Sequence, residues 1–319
     1  MQPPRFIDKG KNMIPSKPDC ISIKVRKVDF GFSTELPYRW YSGNPAIFNF
    51  CNAISIMFPI GEQFFIDSVR HYKDQITDPV LREEVAGFIA QEAMHSKQHD
   101  LCNQVLKVQN KQMFVIEKVA KLFLDTSRHI YPARTLLAIS CALEHFTALF
   151  ADQLLNSQAF RKLAHPVYAE LWLWHAVEET EHKAVCFDVY QQVAGGVFGY
   201  IERCLVMLLV SICMLVAIIL SVLLMLVVQP KKSAPKPPKQ HSANKKPFAT
   251  GWFRYLFIKP GIIPYIMVPY CKYYSPSFHP WQHDNSALVQ RWKAHYENLR
   301  ATGVQPVFPL ASATTAAGD

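Results

Sequence analysis

A carboxylate in the middle of an apolar helix must be paired or coordinated, because removing water from the ion is costly. This sequence puts one there twice. Glu62 lies within "FPIGEQFFIDSVR", and Glu144 is nearly the only carboxylate of "LLAISCALEHFTALF". Glu92 belongs to "QEAMHSKQH" and Glu179 to "WHAVEETEHKAVCFDVY". Each of these two is followed three residues later by a histidine, His95 and His182. The chain order is therefore Glu, Glu-x-x-His, Glu, Glu-x-x-His, one element on each of four helical segments.

Helical spacing brings these groups together. At about 100° per residue, His175, Glu179 and His182 fall within about 60° of one another. Glu92, His95 and His99 likewise share a face, while Glu178 and Glu181 flank theirs and point to outer partners or water. The single Glu precedes the paired Glu by 30 and 35 residues, which suits two antiparallel helical hairpins. An all-α four-helix bundle over 46–196 can then gather four carboxylates and two imidazoles around two metal ions. Such an oxygen-rich set with some nitrogen suits iron or manganese better than a structural zinc site. Taken singly, Glu62 could pair with Arg70 or Lys73, and His99 and His145 stay open between a metal-centre role and the core. His71, His129 and His165 read as surface or helix-end residues.

The helices are expected at about 46–72, bent near Pro59, at 79–108, at 133–156 and at 166–195. Asp78-Pro79, Pro132 and Pro166 mark three starts, and 110–130 reads as a connection. Residues 1–45 form an arm whose "ISIKVRKVDFGF" alternates apolar and polar side chains, consistent with an extended segment packed on the body. Residues 204–228 carry no charge. As a helix they reach about 37 Å, enough to cross a hydrocarbon layer of about 30 Å. The expectation is a transmembrane or membrane-embedded helix over 197–229, with a buried fifth bundle helix as the alternative.

A Lys/Pro-rich linker (230–250), an interfacial segment rich in Trp, Tyr and Phe (251–303) and a disordered tail (304–319) complete the chain. The net charge of +9 is concentrated in the linker and lacks an Arg/aromatic pattern, which favours a membrane surface and excludes nucleic acid as a partner. The eight cysteines form no CxxC pair, and the polar N-terminus does not resemble a signal peptide. Both features put the bundle on the cytoplasmic side. A basic linker following a single span would put it outside; an in-plane segment resolves the conflict.

The ordered set Glu62, Glu92-x-x-His95, Glu144, Glu179-x-x-His182 resembles the ferritin-like di-iron carboxylate proteins. His175, four residues before Glu179, looks like the extra histidine of the p-aminobenzoate N-oxygenase type, which implies a seventh ligand; His99 has no counterpart there. Together with "FHPWQHD", the four quoted stretches resemble a bacterial family of predicted metal-dependent hydrolases over about residues 20–300. The resemblance implies a dinuclear enzyme. The preferred expectation is a di-iron oxidoreductase that activates dioxygen to oxidise a lipophilic small molecule, with a separate electron donor. Manganese or zinc are the other metals weighed. The alternatives are hydrolysis by metal-activated water and a non-enzymic, membrane-anchored metal-binding protein.

Overall fold

The computed structural model describes residues 6–8, 13–15, 17–43, 45–228 and 262–302. The Lys/Pro linker, the first part of the interfacial segment and the tail after 303 lie outside the described residues. The fold is all-α apart from a short antiparallel pair, β1 (Phe6–Asp8) and β2 (Met13–Pro15), with Ile7 opposite Ile14.

The helices are α1 (Pro45–Arg70), α2 (Pro79–Gln109), α3 (Val115–Ile130), α4 (Ala133–Asn156), α5 (Gln158–Leu163), α6 (Pro166–His182), α7 (Val185–Ala194), α8 (Val197–Val227), α9 (Ile262–Lys272) and α10 (Ser286–Thr302). Helix starts follow local chemistry. Asp78 caps α2 by accepting from the Val80 amide, with Pro79 at the first helical position, where a missing N–H costs nothing. Pro166 does the same for α6. The hairpins expected from the carboxylate spacing are present: α1 packs along α2, and α4 along α6.

Pro59 sits inside a continuous α1. It cannot donate to the Ser55 carbonyl one turn earlier, and the Asn103 side-chain amide of α2 donates to that carbonyl instead, at 2.8 Å.

Two expectations need correction. Residues 110–130 are not merely a connection, because 115–130 form a helix. Its apolar residues share one broad face at helical spacing, of which Ile116 and Leu124 are buried while Val115, Val119, Leu122 and Phe123 are exposed. The fourth helix also does not run unbroken to 195. A turn at Lys183–Ala184 separates α6 from α7. No breaker residue stands there; Lys183 is drawn inward to the His283 carbonyl (2.7 Å) and Asn285 Oδ1 (2.8 Å).

Two apolar clusters form the core, one at each end of the four long helices. One joins Trp40, Phe48, Leu106 and Trp174; the other joins Phe64, Phe88, Leu137 and Val189. The residues from 17 to 43 run over the bundle in extended and turn conformations, bridged at Tyr41 to Ala164, and Phe30 and Phe32 pack on Trp174 and Tyr168. Gly87 permits this close approach: a Cβ there would stand 2.7 Å from the Ile23 carbonyl oxygen.

The contact gives a signed prediction. Gly87→Ala should lose roughly 1–3 kcal/mol from the clash. Gly61→Ala, where a Cβ meets nothing within 4 Å, should gain about 0.5–1 kcal/mol from reduced chain entropy. Urea midpoints at unchanged slope measure both; a Gly87→Ala midpoint above the wild type would refute the arm contact.

Candidate metal centre

Four helices each bring one part of the site to the level between the two apolar clusters: Glu62 from α1, Glu92 and His95 from α2, Glu144 from α4, and His175, Glu179 and His182 from α6. All seven are buried. Three overlapping groups each place their ligand atoms within 4.8 Å of one another: Glu62 with His95 and His175, Glu92 with His95 and Glu179, and Glu92 with Glu144 and His182. Glu92 lies 3.7 Å from His95 and 3.0 Å from His182, and Glu179 lies 3.5 Å and 3.6 Å from the same pair. The two paired glutamates therefore span both halves of the site. His175 Nε2, 4.0 Å from Glu62 and 2.9 Å from Glu179, adds a second imidazole to one half only.

Each imidazole turns one nitrogen inward and ties the other to an outer acceptor, which fixes its tautomer. His95 Nε2 is 3.1 Å from Glu178, whose other oxygen accepts from Arg26 (2.9 Å) and the Trp174 indole (3.1 Å). His182 Nδ1 donates to Gln91 Oε1 (3.0 Å), and the Gln91 amide donates to Glu181 (2.9 Å), which Arg26 and Lys293 neutralise.

Behind His175 the chain of donors is longer. His175 Nδ1 meets His99 Nε2 at 2.8 Å, His99 Nδ1 meets Ser55 Oγ at 2.9 Å, and Ser55 donates to Asn103 Oδ1. Asn103 then closes the relay on the carbonyl freed by Pro59. His175 Nε2 is thereby turned inward, 2.9 Å from Glu179 Oε1.

The inward atoms test whether a metal fits. Glu62 Oε1, both oxygens of Glu92 and of Glu144, Glu179 Oε2, His95 Nδ1 and His182 Nε2 are buried with no hydrogen-bond partner. They stand within ion-pair reach of one another but lack hydrogen-bond geometry. Leaving a buried polar atom unpaired costs about 1–3 kcal/mol, and cations among them remove that cost. No thiol belongs to any of the three groups, so the donor set is one of carboxylates and imidazoles, suited to divalent transition metals.

Without cations, protons must balance the charge. Burial, then repulsion from neighbouring glutamates, drives the Glu62 and Glu144 carboxyls well above their ordinary range. Burial also raises Glu92 and Glu179, but contacts with His182, His95 and His175 outweigh it and hold both below the usual range. Burial opposes charge on His95, yet Glu178 and Glu92 lift it to about 10; Glu179 and Glu92 lift His182 well above normal. Burial, then His95, lowers His175 to about 4.

Of the two histidines left open by the sequence, His99 stands behind His175, and burial, then His175, keeps it well below its ordinary value. His145 is outside the centre: it packs on Tyr273 and Phe278, and burial lowers it to about 3. Glu178 and Glu181 are the outer acceptors. Glu62 does not pair with Arg70 or Lys73 but accepts from Ser96 at 2.8 Å. Sequence reasoning missed Gln91, Ser55, Ser96, Asn103, Arg26 and Lys293. Gln91 stands directly before Glu92 in the sequence, whereas the arm residue Arg26 carries no local signal.

Two outcomes follow. Because Glu62, Glu144, His95 and His182 hold protons in the metal-free protein and must lose them to bind a cation, loading releases protons and apparent affinity rises with pH. Calorimetry in buffers of different ionisation enthalpy reads the proton count; pH-independent affinity between pH 6 and 8 would refute this. His99→Phe should keep the fold and weaken metal binding about 10–100-fold, measured by competition with a chelator.

No curated protein and no solved structure matches the chain. A family model matches residues 24–284, which include all seven inward-facing residues and the outer partners except Lys293. The chain belongs to the family described as predicted metal-dependent hydrolases.

Proposed function

We propose that α1, α2, α4 and α6 are the four helices of a ferritin-like bundle holding two metal ions, iron in the first instance. In this reading the protein is a non-haem di-iron oxidoreductase acting on a lipophilic small molecule. One observation carries it: eight bare oxygen and nitrogen atoms from four helices converge in a buried, thiol-free cage. Glu62, His95 and His175 would hold one ion, Glu144 and His182 the other, with Glu92 and Glu179 between them. Bound there, the iron pair supplies the redox chemistry with dioxygen that no side chain can.

The chain's own residues do the rest. Gln91, Glu178 and His99 hold the three imidazoles in their neutral, inward-facing tautomers. Arg26 and Lys293 neutralise Glu178 and Glu181, so outer charge does not compete with the cage. The apolar clusters at both ends exclude water. Oxidation by dioxygen requires electrons, so a separate reductase is the implied partner. Eight unpaired cysteines support a reducing, cytoplasmic setting for the bundle.

The family description favours a second reading, hydrolysis by metal-activated water at the same residues. Metal analysis of protein made with iron, manganese and zinc in excess, followed by oxygen uptake on chemical reduction, separates the two. The expected result is about two irons per chain with oxygen consumption. Glu144→Ala should lose about one equivalent. Zinc occupancy with oxygen-independent turnover would transfer the assignment to hydrolysis, and iron accumulation far beyond two per chain would make the protein a store.

A further inference from the structure

Helix α8 follows the bundle from end to end. Its buried stripe runs from Gly199 and Arg203 through Val206, Met207 and Val210 to Ser221 and Met225, against α1 and α4. Both ends are tied to the body. At the start, Tyr200 donates to the Tyr274 carbonyl (2.8 Å), and Glu202 pairs with Arg134 (2.7 Å). At the finish, Asn110 donates to the Val228 carbonyl (2.8 Å). The opposite face is bare: Leu205, Leu209, Ile212, Val216, Leu220 and Leu223 are all exposed.

Its neighbours extend the apolar face. Helix α3 also packs on α1 and turns Val119, Leu122 and Phe123 outward. Helix α9 packs on α4, meets α8 through Tyr270 and Ser211 (2.8 Å), and exposes Tyr265, Met267 and Val268. A monomer's largest apolar patch is ordinarily a few hundred Å² and marks an interaction site; α8 and α9 share this one, and α3 exposes a further apolar face on α1.

We propose that α3, α8 and α9 form one membrane-docking face, with α8 lying in the plane of a single leaflet rather than crossing the bilayer. Three observations choose this occupant. First, a spanning α8 would take the body with it, since it is packed on α1 and α4 along its length. Helix α2, packed on α1, would then carry Arg82, Glu83, Lys97, Asp100 and Lys107, all exposed, towards hydrocarbon, where charges are strongly disfavoured. Second, α8 has one exposed apolar face and one face packed on the body, so a single leaflet can take the first without displacing the second. Third, the sequence directly after α8 holds six lysines and no acidic residue between 231 and 246, a charge complement to anionic headgroups. The arrangement also removes the sidedness conflict of the sequence, because a basic linker and a cytoplasmic bundle share one side.

The test uses the full chain with exposed Cys20 and Cys271 and half-exposed Cys204 and Cys213 changed to Ser. Phe198→Cys and Val227→Cys, both at exposed positions near the ends of α8, are labelled in sealed membrane vesicles with an impermeant maleimide. Labelling of both from the same side supports the proposal; labelling from opposite sides overturns it. In parallel, the purified protein is floated with phosphatidylcholine vesicles with and without phosphatidylglycerol. Binding should strengthen with the anionic lipid. The triple variant L209E/I212E/V216E should lose about tenfold in bound fraction, as expected for an interfacial helix, while keeping its metal content. Failure to float, with a dimer that buries α8, would assign the face to a second copy instead. The deciding readouts are sidedness and vesicle binding, and metal content serves only as a check on folding, so this inference and the proposed chemistry fail separately.

Discussion

Four glutamates that face one another in a dry interior cannot all be charged unless cations lie between them. Two unit charges about 4 Å apart interact by about 4 kcal/mol even at an effective dielectric of 20. The metal-free protein meets this by keeping protons on Glu62 and Glu144 and on the imidazoles of His95 and His182. That solution leaves eight inward atoms without hydrogen bonds. It also requires outer groups that tolerate either state of the cage. Arg26 does this from the arm, binding Glu178 and Glu181 at once. The arm is therefore part of the electrostatic structure of the centre, and the absence of a side chain at Gly87 matters because it lets that arm lie down.

The relay behind His175 begins with a backbone defect. A proline in a helix normally leaves a carbonyl one turn back without its donor. Here that carbonyl belongs to Ser55, and Asn103 reaches it from α2. The same asparagine accepts from the Ser55 hydroxyl, which in turn accepts from His99. Pro59 thus fixes Asn103, Asn103 fixes the direction of the Ser55 hydroxyl, and the hydroxyl fixes the His99 tautomer. The imidazole of His175 is oriented from a position four residues before Pro59. Replacing the proline with an ordinary helix former would return the Ser55 carbonyl to its own helix and release the asparagine.

The parts of this design that were legible in the sequence are those with a period. Glu62, Glu92, His95, Glu144, Glu179 and His182 stand out because helical spacing and apolar surroundings together make a buried carboxylate conspicuous, and the same spacing gave the two hairpins. The outer groups have no such signature. Ser55, Asn103 and Lys293 reach the centre only through tertiary packing, and Arg26 is one basic residue among several in "IKVRKV". Helix α3 did carry a period, since Val115, Ile116, Val119, Phe123 and Ile130 share one face, although most of that face is exposed rather than packed in the core. The turn at Lys183 was illegible because it is set by residues a hundred positions later, at His283 and Asn285.

The repeated hairpin does not make the two halves of the centre equal. Glu62 is held by Ser96 and shares its half with two imidazoles, each tied to an outer partner. Glu144, in the corresponding position, has neither oxygen hydrogen-bonded, and its half has the single imidazole of His182. A side chain fixed only by its own helix changes rotamer more easily than one held by a hydroxyl. Conformational freedom in the cage is therefore concentrated at Glu144. This residue is carried by α4, the helix that lies between the centre and the apolar layer of α8 and α9. The stiff half is backed by the hydrogen-bonded relay of α1 and α2, and the adaptable half has no such relay behind it, so a change in the number or charge of bound cations is taken up first by Glu144.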